Sequence, residues 1–255
     1  MATSGFRFPP EILTAFQLAG AGRAGLTQQI GNGLCDVVSN TVFTDIWEPG
    51  GIRPWLQAPE RLQITSDSAD DTAAGTGAQG ILLEGLDVAG APIVETIATA
   101  GLAVSALTTQ SFFRLNQALV RPVGTYGGAN AGQLLIETES SILQATIPSG
   151  FGRSTHCHVT VPSDQIGLLF GIFPGIDAHK TAVLRLQVRT DAGNIVPPFF
   201  PTQRVFTVPG LLGFVPIASP VAAPIPPFSD IWVAALGESP MTTIGITFSL
   251  LFVPV

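Results

Sequence analysis

Charge is scarce in this sequence. Only 11% of its 255 residues are Asp, Glu, Lys or Arg, against roughly a quarter in an ordinary globular protein. The basic side is the thinner one, with 11 Lys and Arg facing 18 Asp and Glu for a net charge of −7. No basic cluster occurs along the chain. The positive stripe used for direct nucleic-acid binding is therefore missing. Cysteine is limited to Cys35 and Cys157, which build no disulfide framework and point to synthesis in a reducing cytoplasm. Long apolar runs are absent too. The most apolar stretch, GLLGFVPIASPVAAPIPPF, is broken by Pro216, Pro220, Pro224, Pro226 and Pro227. Nothing reaches the ~20 residues a spanning helix needs, so no membrane span is expected. The opening MATSGFRFPPE lacks the basic-then-apolar order of a secretory signal.

What the chain does have is 46% hydrophobic residues, 28 Gly and 21 Pro. Few charges and many apolar side chains leave apolar area for the surface, where it serves protein–protein contact. Gly and Pro spread through the chain suit short strands joined by turns.

Residues 1–50 differ from the rest and read as an N-terminal arm or adaptor. Ile12, Leu13 and Phe16 fall at helix-like spacing within Glu11–Leu18. From about residue 60 the period is two. QGILLEGLDVAGAPIVETIA reads as a hairpin around Asp87–Gly90. FFRLNQALV and GQLLIETE are further strands. HCHVTVPS puts Cys157, Val159 and Val161 on one face and His156, His158 and Thr160 on the other. TAVLRLQVR sets Leu184, Leu186 and Val188 against Arg185, Gln187 and Arg189; the last strand aligns Ile244, Ile246, Phe248, Leu250 and Phe252. Strands at roughly ten-residue spacing predict an all-β chain, an antiparallel, jelly-roll-like β-sandwich. The expected division is an arm over 1–50, a β module over 51–150, and a second module, or the second half of one sandwich, over 151–255.

Motifs that carry chemistry are thin. GAGRAG at Gly20–Gly25 has the letters of a dinucleotide fingerprint but no βαβ context, so a flexible arm is the better reading. Asp70-Asp71-Thr72 follows polar residues rather than an apolar strand, unlike a protease aspartate. Asp67, Asp70 and Asp71 could supply oxygen ligands to a hard cation, although Asp and Ser closing a turn explain the same letters. His156 and His158 share a strand face and are the better transition-metal pair, with a third ligand needed from His179, a distant acid or a neighbouring subunit. Two part-buried imidazoles donating to carbonyls is the favoured alternative. Neither set makes a confident metal site, and no cofactor is expected. No nucleophile, base and oxyanion site can be assembled, so the chain is not read as an enzyme. Phe6, Phe8, Ile12, Phe16, Trp47 and Trp55 are the candidate interface residues, the two tryptophans also suiting a role as packing anchors.

The order of pieces is itself informative. DIWEPGG, then LQITSDSADDTAAGTGAQGILLEGLDVAGAPIVETI, then FFRLNQALV and GANAGQLLI, and later FSDIWVAA before a final apolar strand, resembles a group of tailed-bacteriophage virion proteins, especially of aquatic phages. The resemblance covers residues 44–255. It implies a β-rich structural part of a phage particle with no catalytic residues to carry over. Such a protein would be made in the host cytoplasm and reside in the virion as a trimer or higher homo-oligomer. Its further partners would be other structural proteins such as the major capsid protein. Capsid decoration (cement) or a head-fibre base is the leading expectation. A tail, neck or baseplate role, or host-glycan binding on loops around Tyr126 or Trp232, is the alternative.

Overall fold

The computed structural model describes residues 26–177, 180–194, 202–208, 217–239 and 241–255, and every regular element among them is a β-strand. All pairings between these strands are antiparallel. The all-β, sandwich-like architecture expected from the two-residue period is present.

Four sheets pack as two pairs. The first runs β1 (Thr27–Val38), β15 (Thr242–Pro254), β10 (Gln165–Ile176), β13 (Ile217–Ile225). The second runs β12 (Thr202–Val208), β11 (Ala182–Arg189), β14 (Asp230–Gly237), with β2 (Thr44–Asp45) and β9 (His158–Thr160) sharing the far edge of β14. One hydrophobic cluster joins them, from Cys35, Val38 and Ile46 through Cys157, Val159 and Leu186 to Ile246, Phe248 and Phe252. The third sheet is β3 (Leu62–Ser66), β7 (Leu134–Thr138), β8 (Leu143–Ile147); the fourth is β5 (Pro92–Ala98), β4 (Gly80–Leu86), β6 (Arg114–Val120). A separate cluster, including Leu62, Ile81, Leu83, Phe112, Leu134 and Ile147, fills the space between those two. The chain thus enters one sandwich, leaves it after β2 to build a second from β3 to β8, and returns at β9.

This corrects the arm over 1–50. Its part from Thr27 is a twelve-residue strand paired with β15, from Thr27 opposite Phe252 to Val38 opposite Thr242. The strand hides in the sequence because its inward positions include glycines. A methyl on Gly31 would overlap the Phe248 ring, and one on Gly33 would overlap Cys157 and Ile46. The partner sheet supplies the bulk, so no hydrophobic alternation marks β1. The short helix proposed over Glu11–Leu18 lies outside the described residues.

The second sandwich follows its sequence signals closely. In the hairpin joining β4 to β5, Asp87 Oδ1 accepts the N–H groups of Ala89 (2.8 Å) and Ala91 (2.9 Å), and Gly90 takes φ +78°. The free edge of β3 is closed by a strap that is not itself a strand. Ile64 and Leu62 donate their N–H groups to Ser105 Oγ and Thr108 Oγ1, both at 2.9 Å. Covering an edge in this way removes a template for unwanted pairing.

Candidate functional site

Arginine inside an apolar strand has to find partners. Arg114 follows Phe112 and Phe113 and precedes Leu115, and all four are buried. Its guanidinium reaches out of the second sandwich to Asp230, the first residue of β14, with Nε 3.0 Å from Oδ1. The remaining donors serve backbone carbonyls of Leu56 (3.2 Å), Phe113 (2.8 Å) and Ala192 (2.7 Å). Arg189, the last residue of β11, donates Nε to Asp230 Oδ2 at 2.9 Å and closes the fork with Nη2. Thr160 Oγ1 donates to Oδ1 at 2.7 Å, and His158 Nε2 lies 3.4 Å away. Asn116 on β6 ties the same seam by exchanging two hydrogen bonds with the Thr160 backbone, at 2.9 and 2.8 Å.

Trp55 sits at the centre of this cluster. Its ring lies 4.2 Å from the Arg189 guanidinium carbon, 5.1 Å from that of Arg114 and 5.7 Å from that of Arg53. His158 and Trp232 meet it edge-on with centroids 4.7 and 5.2 Å away. The π-face offsets part of the repulsion among three buried cations. Arg53 is held by the Gln144 carbonyl (3.1 Å) and side chain (3.4 Å), and its own N–H donates to Asp45 at 2.9 Å.

Burial governs the ionisation here, and neighbours reverse it at one residue. Burial pushes the Asp45 carboxyl up to about 6. Burial and then the charge of Arg114 bring Arg53 down to about 10. Burial, reinforced by Arg53, brings His158 down to about 3 and holds His156 well below its usual range. At Asp230 burial favours the neutral acid, but Arg114, His158 and Arg189 together outweigh it and keep the carboxylate charged far into acid. The beside-lying cavity, lined by Asp45, Arg53, Trp55, His158 and Trp232 among others, measures 10 Å³. That is room for about one water and none for a substrate. The arrangement is a lock joining two sandwiches.

His156 and His158 do share a face, with ring centroids 6.3 Å apart. Each commits Nε2 within the chain, His156 to the Leu115 carbonyl (3.1 Å) and His158 to Asp230 and Thr160. The favoured alternative of a carbonyl-bound imidazole thus describes His156, while His158 belongs to the lock. His179 lies outside the described residues. Asp71 is fully buried, and its carboxylate accepts from Ser66 Oγ (2.6 Å) and from the N–H groups of Ala78 (2.7 Å), Ala131 (2.8 Å) and Gly132 (2.9 Å). Asp67 accepts from the Gln133 N–H at 2.7 Å, and Asp70 is exposed. At Asp71 these donors occupy the oxygens a cation would need, so that carboxylate is a loop tie. Among the described residues no three His, Cys, Asp or Glu converge on a metal position.

Trp47 is 5% exposed, with its indole N–H on the Gly50 carbonyl at 2.6 Å. Trp55 stacks against the arginine guanidiniums. Trp47 is a packing anchor within the chain, its area already spent there, whereas Trp55 packs on the arginines and stays half-buried. Phe6, Phe8, Ile12 and Phe16 lie outside the described residues. Trp232 is 8% exposed and cannot present a ring to a glycan, whereas Tyr126 is 49% exposed. Sequence reading missed Arg53, Arg114, Arg189 and Asp230. The available signal was an ionisable residue against an apolar run, as in FFRL and SDIW.

By its folding the chain belongs to the all-β, sandwich-like proteins. No family model matches it, and no curated protein matches it. Among solved structures, that of the infectious bursal disease virus VP2 subviral particle is similar at 10% identity, over 90% of this chain and 72% of that one. The TM-score is 0.22, below the level that shows a shared fold.

Proposed function

We propose that this chain is a structural protein of a virus particle, built to be buried among copies of itself and other shell components. The carrying observation is where its few charges go. Asp45, Arg53, Asp71, Arg114, Arg189 and Asp230 are all buried, in a chain with only 11 basic and 18 acidic residues. The surface is left poorer in charge than the composition already implied. Apolar side chains stand out on its loops, among them Ile52 at 78%, Leu102 at 65% and Val42 at 63% exposure. Such a surface favours wide apolar contact between copies held in a lattice.

The resemblance of residues 44–255 to tailed-phage virion proteins supports the finer reading. The chain decorates the capsid or forms a head-fibre base, as a trimer or higher oligomer docked on the major capsid protein, and has no catalytic role. Placement in the tail, neck or baseplate uses the same surface. Proteomics and electron cryomicroscopy of purified particles test the proposal, together with sedimentation of the isolated protein. Copies in symmetric positions, and an oligomer in solution, are the expected results. A stable monomer absent from particles overturns it.

A further inference from the structure

The outward face of the first sheet carries a trough whose shape is written in its register. Two cross-strand rows cross β1, β15 and β10: Asn32, Thr247 and Phe173 in one, and Leu34, Gly245 and Gly175 in the next. All six point away from the core, at the half-buried positions between buried neighbours. The two glycines lower the floor. A methyl at Gly245 or Gly175 would meet nothing closer than 4.0 Å, and neither has positive φ, so the space above them is open. The second sandwich overhangs this floor with the segment after β8. Phe151, 53% exposed, sits between Gly150 and Gly152, whose φ values are +78° and +68°. Phe151, Arg153 and Thr155 complete the wall of this open trough, whose volume is 400 Å³. That lies within the range of small-ligand sites, about 300–1,000 Å³.

The lining is one-sided chemically. No Asp or Glu contributes to it. Arg153 is its one charged group, and among the described residues its guanidinium has no ion-pair partner. Thr247 donates to Asn32 Oδ1 at 3.2 Å, which leaves the Asn32 amide N–H groups to face outward as donors. Thr155 is 4% exposed, and its Oγ1 is buried without a hydrogen-bond partner. In a chain of net charge −7, an unpaired guanidinium in a carboxylate-free hollow selects for an anion. The ligand must also offer hydroxyls to the amide and Thr247, and an apolar edge to the phenylalanines. A peptide gains little here, since β15 is paired on both sides and its backbone groups are spent on β1 and β10. A sugar ring needs only side-chain partners.

We propose that this trough binds a carboxylate-bearing sugar of the hexuronic-acid class, as found in acidic polysaccharides. The carboxylate pairs with Arg153, ring hydroxyls engage Asn32 and Thr247, and the C–H face lies over Gly245 and Gly175 between Phe151 and Phe173. The inference does not depend on the particle reading, and its failure leaves that reading untouched.

The test is titration of the full chain with glucuronate, galacturonate and their short oligomers, followed by saturation-transfer NMR and calorimetry. Glucose, acetate and a peptide of residues 1–25 serve as comparisons. At least one uronate should bind, with glucose and acetate weaker by about tenfold or more, the scale of one charge-assisted contact. Arg153→Gln should weaken binding by about the same factor. Gly245→Val fills the floor with a residue that strands favour, so it should abolish binding while leaving circular dichroism and melting temperature intact. The proposal is overturned if no uronate binds at millimolar concentrations, or if glucose or acetate binds equally well. Binding that survives Gly245→Val, or displacement of the uronate by the 1–25 peptide, also overturns it.

Discussion

Arg114 and Asp230 stand 116 positions apart and meet at 3.0 Å with side chains 2% and 0% exposed, one from each sandwich. A buried ion pair is weak evidence of net stability, because desolvation offsets much of the attraction. Its removal from one side is a different matter. Asp230→Ala strands two guanidiniums beside a third, and should cost about 3–5 kcal/mol in urea unfolding. Arg114→Leu leaves Asp230 with Arg189 and Thr160, and should cost less. Equal losses for the two would mean that Asp230 is not the shared anchor.

Acid should loosen the same seam. His158 titrates near 3 in the folded chain and His156 well below its usual range, whereas unfolded histidine takes a proton near about 6.5. The unfolded chain therefore binds more protons as pH falls below that value, and stability declines. His158 alone accounts for about 2–3 kcal/mol by pH 4.5, at roughly 1.4 kcal/mol per pH unit. Asp45 opposes this. With its folded pKa up at about 6, it gains stability as pH falls from there toward about 3.9. Its effect is comparable to that of His158, so His156 tips the balance toward loss. Asp230 adds a further loss below about pH 4, where the unfolded carboxylate protonates first. The melting temperature should drop between pH 7 and 4.5, and His158→Gln should flatten that slope. A rising melting temperature would place Asp45 in control.

Asp71 should behave as a structural residue. Asp71→Asn exchanges an acceptor-only carboxylate for an amide facing four donors, at about 1–3 kcal/mol for each donor left unpaired. Hydrogen exchange should speed up at the amides of Ala78, Ala131 and Gly132, the three backbone donors. Calcium should leave the wild-type melting temperature unchanged. A calcium-dependent rise lost in Asp71→Asn would instead make this carboxylate a ligand.

Truncation tests whether β1 is integral to the fold. Deleting residues 2–25 should leave a folded protein, because β1 begins at Thr27. Extending the deletion to residue 40 removes the partner of β15 and takes Cys35 and Val38 from the core. That longer deletion should give insoluble or molten chain, visible as lost near-ultraviolet dichroism and dye binding. If both truncations fold alike, β1 is dispensable.

How much of this was legible depended on whether a residue's partner lay nearby in the chain. The β4–β5 hairpin, the alternation in β11 and the inward row of β15 could be read directly, because period and turn chemistry are local. The alternation puts Cys157, Val159 and Val161 on the core face for the same reason, and all three are there. β1 could not be read, since its glycines owe their meaning to Phe248, Cys157 and Ile46. Arg189 is legible as outward-facing but not as buried, because the second sandwich meets the outward face of its sheet at that end only, where Arg114 joins it on Asp230.

Outside β1, strand character, the inward faces and the shortage of charge follow from this sequence alone, since each depends on composition or on neighbours a few residues away. The partition into two sandwiches, the convergence of Arg53, Arg114 and Arg189 on Trp55 and Asp230, and the trough over Gly245 were decided only in three dimensions. Each brings together residues tens to hundreds of positions apart, and desolvation and charge pairing take effect only once packing has removed water from between them.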